Sequence, residues 1–315
     1  MRLLALVLAL IGCHHEAHKS APSADAGSPA RFRVTNRCEI PVWIQQQGFA
    51  SDPLVSLAVG ASHDYSIPSA GLASTRWWPK ILCDASGNNC AIGQSSSPCP
   101  ANGCAPPVDS KFEATWGCTL ADKNKCGFTP QGVRMVDTFW NTSNVDGYTL
   151  PYTVAIRGGD GRASCVAADC AGLKDAPCPK DEDLSNGGQN PLYAHQSLAT
   201  KNPGSGGYAG GYAGGYAGCF SPCTKLNYPG WGGDGLNAPA GPVEQMYCCP
   251  TPPVSSPQCQ AGPVAKTKYV DLIHKACKST TYGYAYDDTI GGRNCSGDTV
   301  LEFTVGPGCV QIAAR

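Results

Sequence analysis

The chain has 315 residues, with 23 Lys and Arg against 24 Asp and Glu and a formal net charge of -1. Only 15% of it is charged and no basic stripe occurs, which excludes the electrostatic footprint of a nucleic-acid binder. The 38 Gly and 26 Pro imply many turns and irregular loops, and 19 Cys require either an oxidising compartment or metal sites.

In chain order, "MRLLALVLALIGC" opens with Arg2 as a positive n-region and an apolar run from Leu3 to Ile11. A bilayer span takes about 20 residues, so the run reads as a signal-peptide core. Its ending, Leu10-Ile11-Gly12-Cys13, matches the lipobox of bacterial lipoproteins, which makes residues 1–13 a lipoprotein leader ending at a lipidated Cys13. Several acyl chains on one cysteine give stable anchoring where one chain gives only marginal binding. The protein is therefore expected to be exported and lipid-anchored to the cell envelope. His14 in place of an aspartate retention signal points to the outer membrane of a Gram-negative host.

Setting Cys13 aside leaves 18 of the 19 Cys, an even number that suits disulfide stapling in an exported chain. Paired C-x-x-C ligands are not the dominant spacing, and "HHEAH" (His14 to His18) reads as part of a solvated tether, so neither metal nor cofactor is expected. That tether spans residues 14–30, small and polar with no apolar period.

The folded part spans 31–315. "RFRVTN" sets Phe32 and Val34 against Arg31, Arg33 and Thr35, the alternation of a half-buried strand. "PVWIQQQG", "VSLAVGASHDYSI", "KFEATWG", "YTLPYTVAIRG" and "VLEFTVGPG" are similar β-rich runs between turn residues, as in a sandwich or barrel. Trp77 and Trp78 are adjacent, so on a strand one should face the core and the other solvent. One helix is expected within "AKTKYVDLIHKACK", where Tyr269, Leu272, Ile273 and Ala276 share a face. From Cys165 to Cys277 cysteines are dense and periodicity is sparse, which suggests a loop-rich subdomain over 165–277 beside a core from 31–164 and 278–315. Within it "GGYAGGYAGGYAG" reads as a flexible insert, because glycine at this density is entropically costly to order. Asn141-Thr142-Ser143 and Asn294-Cys295-Ser296 match glycosylation sequons, and beside a bacterial lipobox both read as chance matches.

"FRVTNRCEIPVWI", "NVDGYTLPY", "YCCP" at Tyr247 to Pro250 and "YGYAYDD" at Tyr282 to Asp288, in this order, resemble the thaumatin family over residues 31 to 309. The resemblance implies an all-β fold: a thaumatin-like flattened antiparallel β-sandwich with a disulfide-rich loop subdomain containing a short helix. It also implies the pairs Cys38–Cys309, Cys83–Cys90, Cys99–Cys104, Cys165–Cys295, Cys170–Cys277, Cys178–Cys219, Cys223–Cys248 and Cys249–Cys259. Cys118 and Cys126 fall outside the family set and are paired with each other as an extra staple.

In that family an arginine and four acids line a cleft associated with β-1,3-glucan binding and, in some members, slow hydrolysis. The positions fall on Glu113, Asn141, Asp146 and Asp287, and no arginine stands at Ala105 to Pro107, where the resemblance places it. Hydrolysis usually takes two carboxyl groups, one of them protonated, whereas an asparagine hydrogen-bonds a sugar without acting as a base. Asn141 therefore favours binding over turnover. Each acid also has a plainer role: Asp146 before Gly147 suits a hairpin turn, Glu113 suits the wet side of an alternating strand, and Asp287 with Asp288 suits a loop start. Trp140, Tyr148, Tyr284 and Tyr286 are candidate sugar-stacking aromatics.

The expected function is polysaccharide binding, with a β-1,3-glucan as ligand, by a monomer attached to the membrane through Cys13. The alternatives are a weak endo-β-1,3-glucanase using Glu113 with Asp146 or Asp287, and a defence or inhibitor module that binds proteins through surface loops. Whether the chain is an enzyme is left open.

Overall fold

The computed structural model describes residues 30–48, 51–94, 108–159, 161–202, 214–229 and 233–315. The leader with Cys13, the tether up to residue 29, the Cys99–Cys104 pair, Ala105 to Pro107 and most of the Tyr-Ala-Gly-Gly repeat lie outside them.

The described residues form three sheets. A five-stranded sheet runs β10 (Ala168–Asp169), β9 (Tyr152–Gly158), β14 (Val300–Val305), β1 (Ala30–Asn36), β4 (Ser62–Ser66). A six-stranded sheet runs β13 (Arg293–Cys295), β7 (Thr138–Ser143), β6 (Lys111–Trp116), β5 (Leu72–Ile81), β2 (Val42–Gln47), β3 (Leu54–Leu57). The third joins β11 (Ala199–Lys201), β12 (Tyr216–Phe220) and β8 (Gly147–Tyr148). The all-β sandwich read from the sequence is present with one departure. β1 and β14 pair parallel, Phe32 opposite Leu301 through Asn36 opposite Val305. The first and last strands run the same way because nearly the whole chain lies between them, ample length for a parallel crossover.

The two larger sheets close on an aromatic core. Phe32 stacks on Phe112 at 4.5 Å and lies 4.6 Å from Trp77, and Phe112 stacks on Trp140 at 5.7 Å. Beyond area burial, such pairs add about 0.5–1.5 kcal/mol each. Two residues depart from simple alternation. Trp78 is fully buried like Trp77, because β5 is covered on both faces from Trp77 to Ile81. Arg31 is buried too, its Nη1 donating to the Gly117 carbonyl at 2.8 Å and its Nη2 to Thr138 Oγ1 at 3.2 Å and to the Gly297 carbonyl, which partners both terminal nitrogens of its guanidinium inside the fold.

The expected helix is α4 (Lys268–Ala276), its N-cap Thr267 accepting from the Val270 amide and Tyr269, Val270 and Ile273 facing inward. Among the described residues five shorter helices accompany it: α1 (Pro222–Asn227), α2 (Pro242–Cys248), α3 (Ser256–Ala261), α5 (Asp288–Gly291) and α6 (Cys309–Ala313). Their four to seven residues are too few for a clear helical period, which hid them in the sequence. No helix among the described residues is long and apolar enough to cross a membrane.

Eight disulfides staple the described residues. Cys38–Cys309 ties the end of β1 to α6, Cys165–Cys295 joins the cysteine-dense segment to its surroundings, and Cys170–Cys277, Cys178–Cys219, Cys223–Cys248 and Cys249–Cys259 lie within it. Cys83–Cys90 and Cys118–Cys126 close local loops. Because Cys38–Cys309 closes a separation of 271 residues, replacing both with Ala should lower stability by about 2–5 kcal/mol. A denaturant titration under oxidising conditions reads the loss, and an unchanged midpoint refutes it.

Candidate functional site

The site grows from the alternation of β6. Phe112, Ala114 and Trp116 face the core, so Lys111, Glu113 and Thr115 face the other side of the sheet. Strand register then builds a row across three strands: Arg76 on β5 opposite Glu113 on β6, and Glu113 opposite Asn141 on β7. Arg76 Nη2 meets Glu113 Oε1 at 3.2 Å. The cleft thus has an arginine, on β5 rather than in the segment before Glu113 where the resemblance places it. Buried Trp77 beside it was the available signal, since it turns Arg76 away from the core.

Two lobes open over this row and share Arg76, Glu113, Asn141 and Tyr282. The larger, about 590 Å³, adds Phe139, Ser164, Asp288, Arg293 and Asn294. The smaller, about 320 Å³, adds Lys111, Ser143, Asp146 and Tyr286. Tyr282 lines both. Its ring presses on Gly291, where a Cβ would come within 2.0 Å of the ring, and its hydroxyl donates to Asp288 Oδ1 at 2.6 Å. Burial and then that carboxylate push the phenol well above its ordinary range, so it stays a neutral donor. Asn141 carries an Oδ1 that is shielded from solvent and accepts no hydrogen bond among the described residues.

Below the smaller lobe lies an ion stack. Lys111, almost wholly buried, bridges Asp109 Oδ1 at 3.2 Å and the Asp146 carboxylate. Burial alone lowers the lysine pKa, and the charges of Asp109, Asp146 and Glu113 outweigh it, holding the ammonium above its ordinary value. Asp109 is completely enclosed, and burial pushes its carboxyl up to about 7 against the relief from Lys111. It lines neither lobe. Lys111 sits two residues before Glu113, so the same alternation that exposes one identifies the other; Asp109 precedes the strand and had no such signal.

Asp146 is half exposed at the rim of the smaller lobe. The glycine after it is required by packing: Gly147 has φ +140° and a Cβ there would meet the Cys219 carbonyl at 2.3 Å. That contact lets β8 pair with β12 and sets the position of Asp146.

The other expected residues divide. Asp287 is turned out of the cleft: buried, it pairs with His274 Nε2 at 2.7 Å and accepts from the Gly283 amide at 2.9 Å, while Asp288 takes the exposed place beside Tyr282. Three of the four aromatics offer no stacking face. Trp140 is in the core, Tyr148 is fully buried with its hydroxyl on the Ala176 carbonyl at 3.0 Å, and Tyr284 is buried. Core volume outweighed proximity to the acids. Tyr286 lines the smaller lobe, and Phe139, absent from the expected set, is 53% exposed in the larger one.

A family profile described as "Thaumatin family" matches residues 36–307, most of the sequence. The chain belongs to the thaumatin family. A glucan endo-1,3-beta-glucosidase of Prunus avium is 29% identical to this thaumatin-family protein over 88% of this chain and 91% of its own. Thaumatin-like protein 1 of Castanea sativa is 26% identical over 87% and 90%. Among solved structures, the thaumatin-like xylanase inhibitor TLXI aligns with 42% of this chain and 79% of its own, at 21% identity and a TM-score of 0.29, an overlap too shallow to bear on function.

The ion stack has a pH signature. Asp109 releases its proton at about 7 in the folded chain and near 3.8 when unfolded. Between those values the folded state holds the extra proton, so stability should fall as pH rises from about 4 to about 7. Asp109→Asn should flatten that slope, as measured by chemical denaturation at several pH values.

Proposed function

We propose that this thaumatin-family protein is an exported, lipid-anchored binder of polysaccharide, with a β-1,3-linked glucan as ligand in the two-lobed cleft. The observation that carries the reading is the pairing of the cleft's carboxylates. Glu113 is matched by Arg76, Asp146 by Lys111, and Asp288 by the Tyr282 hydroxyl. Such carboxylates are hydrogen-bond acceptors, as sugar hydroxyls require. Glycoside hydrolysis also needs a protonated carboxyl at the scissile bond. Asp109, whose carboxyl burial pushes up to about 7, lies behind Lys111 and lines neither lobe. With Asn141 opposite Glu113 at the end of the row, the layout supports holding a glucan more than cutting it.

The second reading, a weak endo-β-1,3-glucanase using Glu113 with Asp146, draws support from the Prunus avium relative named as a glucan endo-1,3-beta-glucosidase. Asp287 leaves this reading because His274 holds it away from the cleft. Export and anchoring rest on the Leu10 to Cys13 lipobox, and eight disulfides suit an oxidising compartment.

A laminarin retention assay paired with product analysis separates the readings. The protein should be retained without releasing oligosaccharides. Arg76→Ala and Asn141→Ala should each weaken retention by about tenfold, equivalent to ~1.4 kcal/mol. Oligosaccharide release that disappears in Glu113→Ala would establish the hydrolase, and no retention of any glucan would leave the protein-binding defence or inhibitor module.

A further inference from the structure

Between β6 and β7 the chain makes an excursion over residues 118–136, closed at its base by Cys118–Cys126. It is firmly held. The Cys118 amide donates to the Met135 carbonyl at 2.8 Å, the Gly127 amide to the Ala70 carbonyl at 2.8 Å, and the Thr119 amide to the Ser69 carbonyl at 2.8 Å. A turn between Thr129 and Val133 closes the tip. This rigid element nevertheless presents Leu120, Phe128, Val133 and Val136 to solvent, 50% to 66% exposed, four of the seven large apolar side chains at least half exposed among the described residues. Lys123, Lys125 and Arg134 stand exposed among them beside Asp122, while Asp137, Asp298 and Arg162 border Leu120 and Val136 at the base. Rigid apolar side chains in water, ringed by cations, indicate a surface meant to be covered.

Its position in the fold indicates by what. Arg31, the second residue of β1, donates to the carbonyls of Gly117 and Gly297. The Leu120 amide in turn donates to Asp298 Oδ1 at 3.0 Å, and Leu120 and Val136 border one hollow with Gly297. The excursion therefore lies at the end of the sandwich where the N-terminal 29 residues enter β1. From Cys13 to Ala30 the chain reaches about 60 Å at full extension, so an anchor on Cys13 keeps this end of the domain within that distance of a membrane.

We infer that the 118–136 excursion docks on a lipid surface, with Leu120, Phe128, Val133 and Val136 entering the interface and Lys123, Lys125 and Arg134 meeting anionic headgroups. Apolar side chains at headgroup depth and nearby cations act together in interfacial binding. Docking there fixes the orientation of the domain, which an acyl tether alone does not. This inference rests on the lipid-anchor reading of Cys13.

The experiment uses the full exported chain in vesicles of phosphatidylethanolamine and phosphatidylglycerol, with bromine near the carboxyl end of the acyl chains. Phe128→Trp should lose about half of its added emission to the bromines, as expected at interfacial depth. Leu192→Trp, at an 82% exposed position of the disulfide-rich segment, should lose none, and the unsubstituted chain supplies the background from the native tryptophans. Equal quenching at both positions, or none at Phe128→Trp, overturns the inference; the second result is also what a protein partner or a second copy on this surface would give. Mass spectrometry of the N-terminal peptide reads acylation of Cys13 separately. A chain that is acylated but unquenched refutes the docking surface alone, and a chain without acyl groups refutes the anchor.

Discussion

The stacking of Phe32 on Phe112 across the two large sheets is the constraint from which the rest of the molecule follows. Phe112 cannot turn outward without exposing the centre of the aromatic core, so the facing of every residue on β6 is fixed. Lys111 and Glu113 are thereby committed to the other face, and register carries the commitment to Arg76 and Asn141. A polar cleft floor is the necessary reverse of a well-packed sandwich.

A polar floor at this depth has an electrostatic cost, and the structure meets it by pairing. Lys111 is nearly as buried as the core and survives there because Asp109 and Asp146 bracket it. Removing one member of such a group leaves an uncompensated buried charge, which is far worse than never having had the group. The same bracket turns Asp146 into a fixed acceptor at the rim. His274 does the converse for Asp287, drawing a carboxylate that the sequence assigned to the cleft into the join between α4 and α5. Asp146 and Asp287 thus end in opposite roles, one through a lysine and one through a histidine.

The site was partly legible before the fold was known. Glu113 and Asp146 border the cleft, and Asn141 stands opposite Glu113 on β7. Arg76 and Lys111 were open to the same period-two reading, because each neighbours a large aromatic that must face inward. The aromatics were assigned less well. Proximity in sequence suggested Trp140, Tyr148 and Tyr284 as sugar platforms, yet each fills volume inside the fold, and the exposed ring belongs to Phe139. Alternation along β7 puts Phe139 on the Asn141 face, but it cannot tell which face a second layer will cover.

The sequence by itself determined the period-two strands, the turn glycines such as Gly147, one helix and a cysteine set dense enough to replace a large core. These are local properties, set by backbone geometry and by side chains a few residues apart. Only the tertiary structure decided which carboxylates are paired, which are buried and which remain available to a ligand. Those outcomes depend on partners brought together from distant segments, as Arg76 is to Glu113 and His274 to Asp287, and no local pattern encodes the distance between them.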